Sequence, residues 1–261
     1  TGAARGFAIG RSEQLTAEPG LEIQPAISPD GKLVAYAAGN AQRMRIFLRP
    51  VGGGRTIQLS DDTTSVESQP RWSPDGTRLL FLSHGGVSTA PALGGASRPV
   101  VPPSATTNVA TATWSPDGRE IGFVRRDSLL VAPVEGGPAR LVATMASLHS
   151  CAWSPSAKWI ACVLLNDESV RPGTSFGNLA PSGILLFPAG GGPPIRLLEP
   201  QAFNQSPVWS PDGERLLFLS NRVLNPALEN PDAAYPMVVA AVVAVGLRGL
   251  VVAAILSALM S

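Results

Sequence analysis

Residues 71–83 read RWSPDGTRLLFLS, and this stretch decides the fold because the chain repeats it. The related segments are AISPDGKLVAYAA from residue 26, TWSPDGREIGFVR from residue 113, AWSPSAKWIACVL from residue 152 and VWSPDGERLLFLS from residue 208. Their Ser-Pro pairs start at residues 28, 73, 115, 154 and 210. A dozen-residue pattern that recurs five times indicates an internally repeated fold.

Each repeat contains the signals of short strands joined by tight turns. In Ser-Pro-Asp-Gly, Ser suits the first position of a type I turn, Pro presets φ at the second, and Gly closes the turn. An aromatic residue before the turn ends one strand, and an alternating strand follows it. A second hairpin, such as LLVAPVEGGPARLV, ends at a Gly-rich turn. About four strands per forty-odd residues is the size of one propeller blade.

The recurring aromatic and acidic side chains are the main candidate positions, and each set has two interpretations. We expect the tryptophans to be apolar anchors between blades, with a ligand-stacking set as the alternative. We expect the turn aspartates to hydrogen-bond locally, with binding of a cation or of a partner's basic segment as the alternative. The tryptophans are Trp72, Trp114, Trp153 and Trp209, with Ile27 in the first repeat, and the aspartates are Asp30, Asp75, Asp117 and Asp212.

These repeats resemble the TolB-type, WD40-like β-propeller family, whose blades carry a W-S-P-D-G-x-x-[IL]-[AL]-[FY] core. The resemblance covers about residues 11–222 and implies an all-β fold, a partial propeller of about four to five four-stranded blades. The TolB type typically has six blades, so we expect an incomplete ring. EPGLEIQPAISPDGKLVAYAA and FGNLAPSGILLFPAGGG also resemble the C-terminal propellers of bacterial membrane-anchored serine/threonine kinases, although no kinase motif is present.

The chain changes character after residue 222, where the repeats stop. Residues 236–260 are nearly all apolar, yet Arg248 lies in the middle, which disfavours one membrane span. We therefore predict a short apolar α-helical tail in two pieces. The predicted divisions are the propeller repeats at 1–222, a linker at 223–235 and the apolar segment at 236–261. A gene fusion, a deletion or an assembly artefact would each produce such a join.

The apolar tail has a family resemblance of its own. NPDAAYPMVV followed by VGLRGLVVAAILSALMS is similar to part of the sodium/solute symporters. In that family this helix helps to hold a sodium ion through a backbone carbonyl and a hydroxyl. The resemblance places these two ligands at Ala258 and Ser261. The other transmembrane helices and the substrate site of a symporter are missing from the chain.

The remaining candidate groups favour structural roles. Cys151 and Cys162 lie on either side of one turn, and pairing 154 with 157 makes them diagonal neighbours, which favours free thiols over a disulfide. His84 and His149 lie in different repeats without a second ligand at metal spacing. Residues 173–177 (GTSFG) fit the G-x-S-x-G motif around Ser175, but their flanks are loop-like, which argues against a hydrolase nucleophile.

The sequence predicts a non-catalytic propeller scaffold that binds a protein or peptide. A net charge of +1 with scattered arginines gives no footprint for nucleic acid, and no cofactor or metal is implied. By resemblance, the location is the bacterial envelope, extracytoplasmic or membrane-associated, with possible membrane contact through 236–261 and the cytoplasm left open. The alternatives are a remnant of a sodium-coupled symporter fused to a propeller, and the propeller of a prolyl-oligopeptidase-like peptidase without its catalytic domain.

Overall fold

The computed structural model describes residues 15–16, 20–40, 42–60, 66–165, 181–221, 241–244 and 250–251. Every regular element within these ranges is a β-strand, so the all-β prediction is confirmed. The strands form three four-stranded antiparallel sheets and one seven-stranded sheet, each with its strands in sequence order. These sheets are the blades of a propeller, with the seven-stranded sheet extending beyond the fourth blade. No helix long and apolar enough to span a membrane occurs among the described residues.

Each blade is built by consecutive strands, because each of its turns is short. Blade 1 contains β1 (Leu21–Ile27), β2 (Leu33–Asn40), β3 (Arg43–Pro50) and β4 (Ile57–Gln58). Blade 2 contains β5 (Ser68–Trp72), β6 (Arg78–Ser83), β7 (Gly86–Pro91) and β8 (Arg98–Val101). Blade 3 contains β9 (Val109–Trp114), β10 (Glu120–Arg125), β11 (Ser128–Pro133) and β12 (Arg140–Thr144). Ile27 ends β1, and the repeat tryptophans Trp72 and Trp114 end β5 and β9.

Blade 4 runs on into the strands of the fifth repeat. It contains β13 (Leu148–Trp153), β14 (Trp159–Leu164), β15 (Ser182–Pro188) and the first part of β16 (Ile195–Trp209). The second part of β16 pairs with β17 (Arg215–Asn221), and the turn of the fifth repeat joins these two strands. Two short strands follow, β18 (Ala241–Ala244) and β19 (Leu250–Val251). The described residues therefore hold four complete blades and no complete fifth blade.

The α-helical tail predicted for residues 236–261 is not confirmed. The two pieces of it that the structure describes, β18 and β19, are both strands. β18 lies beside β17, with Ala244 opposite Arg215 and Val243 opposite Leu216. An open strand edge offers unpaired N–H and C=O groups, and a Val-rich segment satisfies them well. The symporter-like positions Ala258 and Ser261 lie outside the described residues.

The hydrophobic core is divided into layers between neighbouring blades. Leu79 and Phe81 of blade 2 pack against Ala35 and Ile46 of blade 1. Similar clusters lie between blades 2 and 3, between blades 3 and 4, and between blade 4 and the β16–β17 hairpin. A blade therefore buries each apolar face only against a neighbour, as expected of a repeat fold.

Indole hydrogen bonds tie the first strands of successive blades together. Trp72 Nε1 donates to the carbonyl of Ala26 at 2.9 Å, and Trp114 Nε1 donates to the carbonyl of Arg71 at 3.1 Å. Trp209 Nε1 likewise donates to the carbonyl of Ala152 at 3.0 Å. In each case the acceptor is the residue that precedes the tryptophan of the preceding repeat, or Ile27 in the first repeat. The first strands also contact one another in order, so they form the inner edge of the blades.

The prediction of free thiols at Cys151 and Cys162 is wrong, because these residues form a disulfide. The backbone N–H of Ser154 donates to the carbonyl of Trp159 at 2.8 Å, so the hairpin closes two residues later than the predicted 154–157 pairing. Ala152 then lies opposite Ala161, and Cys151 lies beside Cys162 with their Cα atoms 4.1 Å apart. The four-residue turn, which the sequence pattern underestimates, creates this register.

Reduction of the disulfide is predicted to lower the free energy of unfolding by about 2–3 kcal/mol, because the bond constrains a short loop of the unfolded chain. Urea denaturation with and without dithiothreitol measures this difference. The double variant Cys151→Ala/Cys162→Ala is the control and should not respond to reductant. Equal unfolding of the wild type in both conditions would contradict the prediction.

The fourth repeat departs from the others at its turn and at its tryptophan. Ala157 has φ 61° where the other turns have glycine with φ between 69° and 73°. The indole of Trp153 donates to the carbonyl of Ala157 at 3.2 Å and not to the preceding blade. A left-handed conformation costs an L-residue about 1–2 kcal/mol relative to glycine.

Ala157→Gly is therefore predicted to stabilise the protein by about 0.5–1 kcal/mol, because glycine relieves the left-handed strain but adds freedom to the unfolded chain. The matched control is Gly118→Ala, which should destabilise by about 1 kcal/mol. A methyl group at Gly118 would lie 3.7 Å from Pro74 Cδ, so its effect comes from the backbone alone. Thermal or urea unfolding of both variants provides the measurement, and a destabilised Ala157→Gly variant would contradict this account.

Candidate functional site

The repeat turns share one hydrogen-bond network built from their serine and aspartate. In the second turn, Ser73 Oγ donates to Asp75 Oδ1 at 2.6 Å and accepts the backbone N–H of Arg78 at 2.9 Å. Asp75 Oδ1 also accepts the N–H and the hydroxyl of Thr77 at 3.0 and 2.9 Å. The same serine and aspartate bonds recur around Asp30, Asp117 and Asp212.

These hydrogen bonds set the charge of the turn face. The hydrogen bond from the neighbouring serine, followed by a backbone N–H, lowers the pKa of Asp30, Asp75, Asp117 and Asp212. All four carboxylates therefore remain ionised near neutral pH. In the fourth turn Ser156 replaces the aspartate, and its hydroxyl oxygen lies 3.1 Å from Ser154 Oγ.

The turns of successive repeats lie side by side on one face. A methyl group added at Gly76 would lie 3.5 Å from Cδ of Pro29, which belongs to the preceding turn. The same relation holds between Gly118 and Pro74 at 3.7 Å. The turn aspartates of the first three repeats therefore lie in a row, and residues of two adjacent blades bound the space between neighbouring turns.

A groove of about 350 Å³ lies between the first and second turns, and we call it the first groove. Its apolar wall includes Leu33 of blade 1 with Trp72 and Leu93 of blade 2, and its rim carries Asp30 and Asp75. Leu93 is 97% exposed, the largest exposure among the apolar side chains of the described residues. The first groove thus combines an apolar wall with two carboxylates.

The equivalent space between the second and third turns is filled. Arg78 occupies the position that Leu33 holds in blade 1, and its guanidinium lies 5.2 Å from the centre of the Trp114 ring. Arg78 Nη1 also pairs with Glu135 Oε1 at 3.1 Å. Glu135 is the counterpart of Leu93, because each is the second residue after the proline that ends a third strand. An arginine–glutamate pair therefore closes this space, whereas two leucines leave the first groove open.

The other predicted positions do not assemble into a second site. His149 Nε2 lies 2.9 Å from the carbonyl of Leu165, and His84 lies in a different blade. Within the part of the chain that the structure describes, no group of three His, Cys, Asp or Glu residues is placed to hold a metal ion. Ser175 and its motif lie outside the described residues, as do Ala258 and Ser261.

Sequence reasoning did not identify the first groove. Neither Leu33 nor Leu93 has a sequence signature of its own. The two residues line the same groove only because adjacent blades place two different turns side by side. The available signal was a comparison among the repeats, in which Leu33 stands where Arg78 stands and Leu93 stands where Glu135 stands.

Four blades of four sequential antiparallel strands, joined by indole bonds and repeat turns, define a TolB-like β-propeller fold. None of the protein-family models and none of the curated proteins matches this chain. Among solved structures, the putative TolB from Agrobacterium tumefaciens has a TM-score of 0.61 and 18% identity, covering 80% of this chain and 73% of that one.

Two further structures extend the comparison. TolB from Acinetobacter baumannii has a TM-score of 0.60 and 16% identity over 85% of this chain, which spans about half (52%) of that protein. Oligogalacturonate lyase from Vibrio parahaemolyticus has a TM-score of 0.57 and 12% identity over 76% of this chain and 58% of that one. At these identities the likeness shows the fold alone.

The ionised turn aspartates predict a pH-dependent effect of Asp75→Ser, which gives the second turn the side chain of the fourth. Because the folded state lowers the aspartate pKa, the carboxylate stabilises the fold above the unfolded pKa of about 4 and loses this effect as pH falls through the folded value. The variant should lose at most about 1 kcal/mol at neutral pH, since the carboxylate is exposed.

Urea unfolding of wild type and Asp75→Ser at neutral pH and at about pH 2 tests this, because the difference in the free energy of unfolding should become smaller at the lower pH. Ser156→Asp is the reciprocal control and should gain stability only at neutral pH. A difference that persists unchanged at low pH would contradict the assigned role of the carboxylate.

Proposed function

We propose that this chain is a non-catalytic scaffold that binds a protein or peptide segment in the first groove. The observation that carries the proposal is the exchange of the Arg78–Glu135 pair for Leu33 and Leu93. Contiguous exposed apolar side chains with a polar rim are characteristic of a binding surface. Leu33, Trp72 and Leu93 form such a surface, and tryptophan is among the residues that contribute most to binding energy.

The rim of the first groove specifies the charge of the bound segment. Asp75 uses Oδ1 for its three turn hydrogen bonds, and Oδ2 takes no part in that network among the described residues. Asp30 Oδ2 lies 3.7 Å from Lys32 Nζ, an exposed pair that contributes little to stability. A segment with an aliphatic or aromatic side chain and a neighbouring Lys or Arg complements both the wall and the rim.

An extracytoplasmic location in the bacterial envelope is part of the same proposal. The Cys151–Cys162 disulfide supports it, because such bonds persist in oxidising compartments and are rare in the cytosol. The kinase-associated resemblance stays a prediction. No observation on the described residues favours the symporter remnant or the peptidase propeller over a binding scaffold.

The double variant Leu33→Arg/Leu93→Glu tests the groove, because it recreates the ion pair that closes the neighbouring space. Peptides selected from a phage-displayed random library on the wild type should combine a basic residue with a bulky apolar one. Their affinity should fall about tenfold or more on the double variant, which corresponds to about 1.4 kcal/mol.

Leu141→Arg is the matched control, because Leu141 is also exposed (58%) but lies on the outer strand of blade 3. This control should leave peptide affinity unchanged. Selected peptides that bind the wild type and Leu33→Arg/Leu93→Glu equally would rule out the first groove as the site. Circular dichroism of both variants checks that the β-fold is retained.

A further inference from the structure

An arginine at the inner edge of blade 2, Arg71, has a guanidinium for which the described residues provide no hydrogen-bond acceptor or ion-pair partner. Arg71 belongs to β5, immediately before Trp72, and its side chain is half-buried. It lies opposite Leu80, which packs in the layer between blades 2 and 3. Because neighbouring residues of a strand point to opposite faces, Arg71 faces blade 3 while Trp72 faces blade 1.

The guanidinium of Arg71 lacks the contacts that a buried charge requires. Its Nε is buried without a hydrogen-bond partner, and no carboxylate of the described residues pairs with it. Burial lowers the pKa of Arg71, but an arginine still remains charged in a protein. A desolvated, unpaired cation is unfavourable, so the fold gains nothing from this charge by itself.

The other repeats provide an internal control for this position. The equivalent residues are Ala26, Thr113, Ala152 and Val208. The backbone carbonyl of Arg71 accepts the Trp114 indole, but Ala26 and Ala152 provide the same carbonyl for Trp72 and Trp209. The fold therefore needs only the backbone carbonyl at this position and does not need the arginine side chain.

We propose that Arg71 is the receptor for a carboxylate group of a bound ligand at the inner edge between blades 2 and 3. A guanidinium binds a carboxylate through two parallel N–H···O bonds, and one positive charge matches one negative charge. Gln69 lies two residues earlier and also reaches blade 3, because its Nε2 donates to the carbonyl of Ala110 at 3.0 Å. This site is separate from the first groove, which lies on the opposite face of blade 2.

The carboxylate can belong to a small free acid or to an acidic residue of a protein segment, and two probes distinguish these sources. Acetate represents the free acid, and the capped tripeptide Gly-Glu-Gly represents the segment, with capped Gly-Gln-Gly as its neutral counterpart. NMR of the Arg71 Nε–H resonance reports binding directly, and unfolding temperature at constant ionic strength reports it through linkage.

We expect the Arg71 Nε–H resonance of the full chain to shift with acetate or with the Glu tripeptide, and not with the Gln tripeptide. Arg71→Ala, the residue found in the first and fourth repeats, should lose affinity about tenfold or more and should be no less stable without ligand. Arg55→Ala removes an exposed arginine and should bind as the wild type does.

A response to both probes assigns a site for any carboxylate, and a response to the Glu tripeptide alone assigns a protein segment. If neither probe shifts the Arg71 resonance, or if Arg71→Ala responds as the wild type does, the proposal is wrong. Failure here leaves the first groove untouched, because its test uses different residues and a basic peptide.

Discussion

Each blade of this propeller has two apolar faces, and it can bury them only against the blades before and after it. Three of the four repeat tryptophans fix that contact, since the indoles of Trp72, Trp114 and Trp209 each donate to a backbone carbonyl of the preceding first strand. This bond requires an indole side chain at the donor position, but at the acceptor position it requires only a backbone carbonyl. The acceptor's own side chain is therefore free to vary, and the strand that carries the fold also carries positions that the fold does not constrain.

A comparison of the repeats distinguishes the positions that the fold constrains from those that it leaves free to vary. The turn serines are buried and bonded in the same way in every blade, because they close the hairpin. The residue five positions after the serine varies among the repeats, with four residue types at the five positions: Leu33, Arg78, Glu120, Trp159 and Arg215. It lies between neighbouring turns, where a charged pair, a stacked cation or an open apolar wall are all compatible with the same backbone. Variation at this position changes what the turn face presents without changing how the blades pack.

The sequence was sufficient for the strands, the turns and the blade size, because those depend on local chemistry repeated five times. It was insufficient for the register around Cys151 and Cys162, since the turn pattern does not specify how many residues the hairpin loop contains. It also could not reveal the first groove, because Leu33 and Leu93 belong to different blades and are 60 residues apart in the chain. Contacts between blades depend on the rotation from one blade to the next, and no local pattern encodes that rotation.

Blade 2 contributes to both proposed sites, because Trp72 lines the first groove and Arg71 faces blade 3. The two residues are adjacent on β5, yet the strand separates their environments, since one side chain points to each face. Hydrogen bonds hold this strand on both sides, through Trp72 to Ala26 and through Trp114 to Arg71. Energetic coupling between two sites requires an element with two arrangements, and a strand held from both sides has one. The two sites should therefore act additively, as two contacts for one extended partner or for two separate ones.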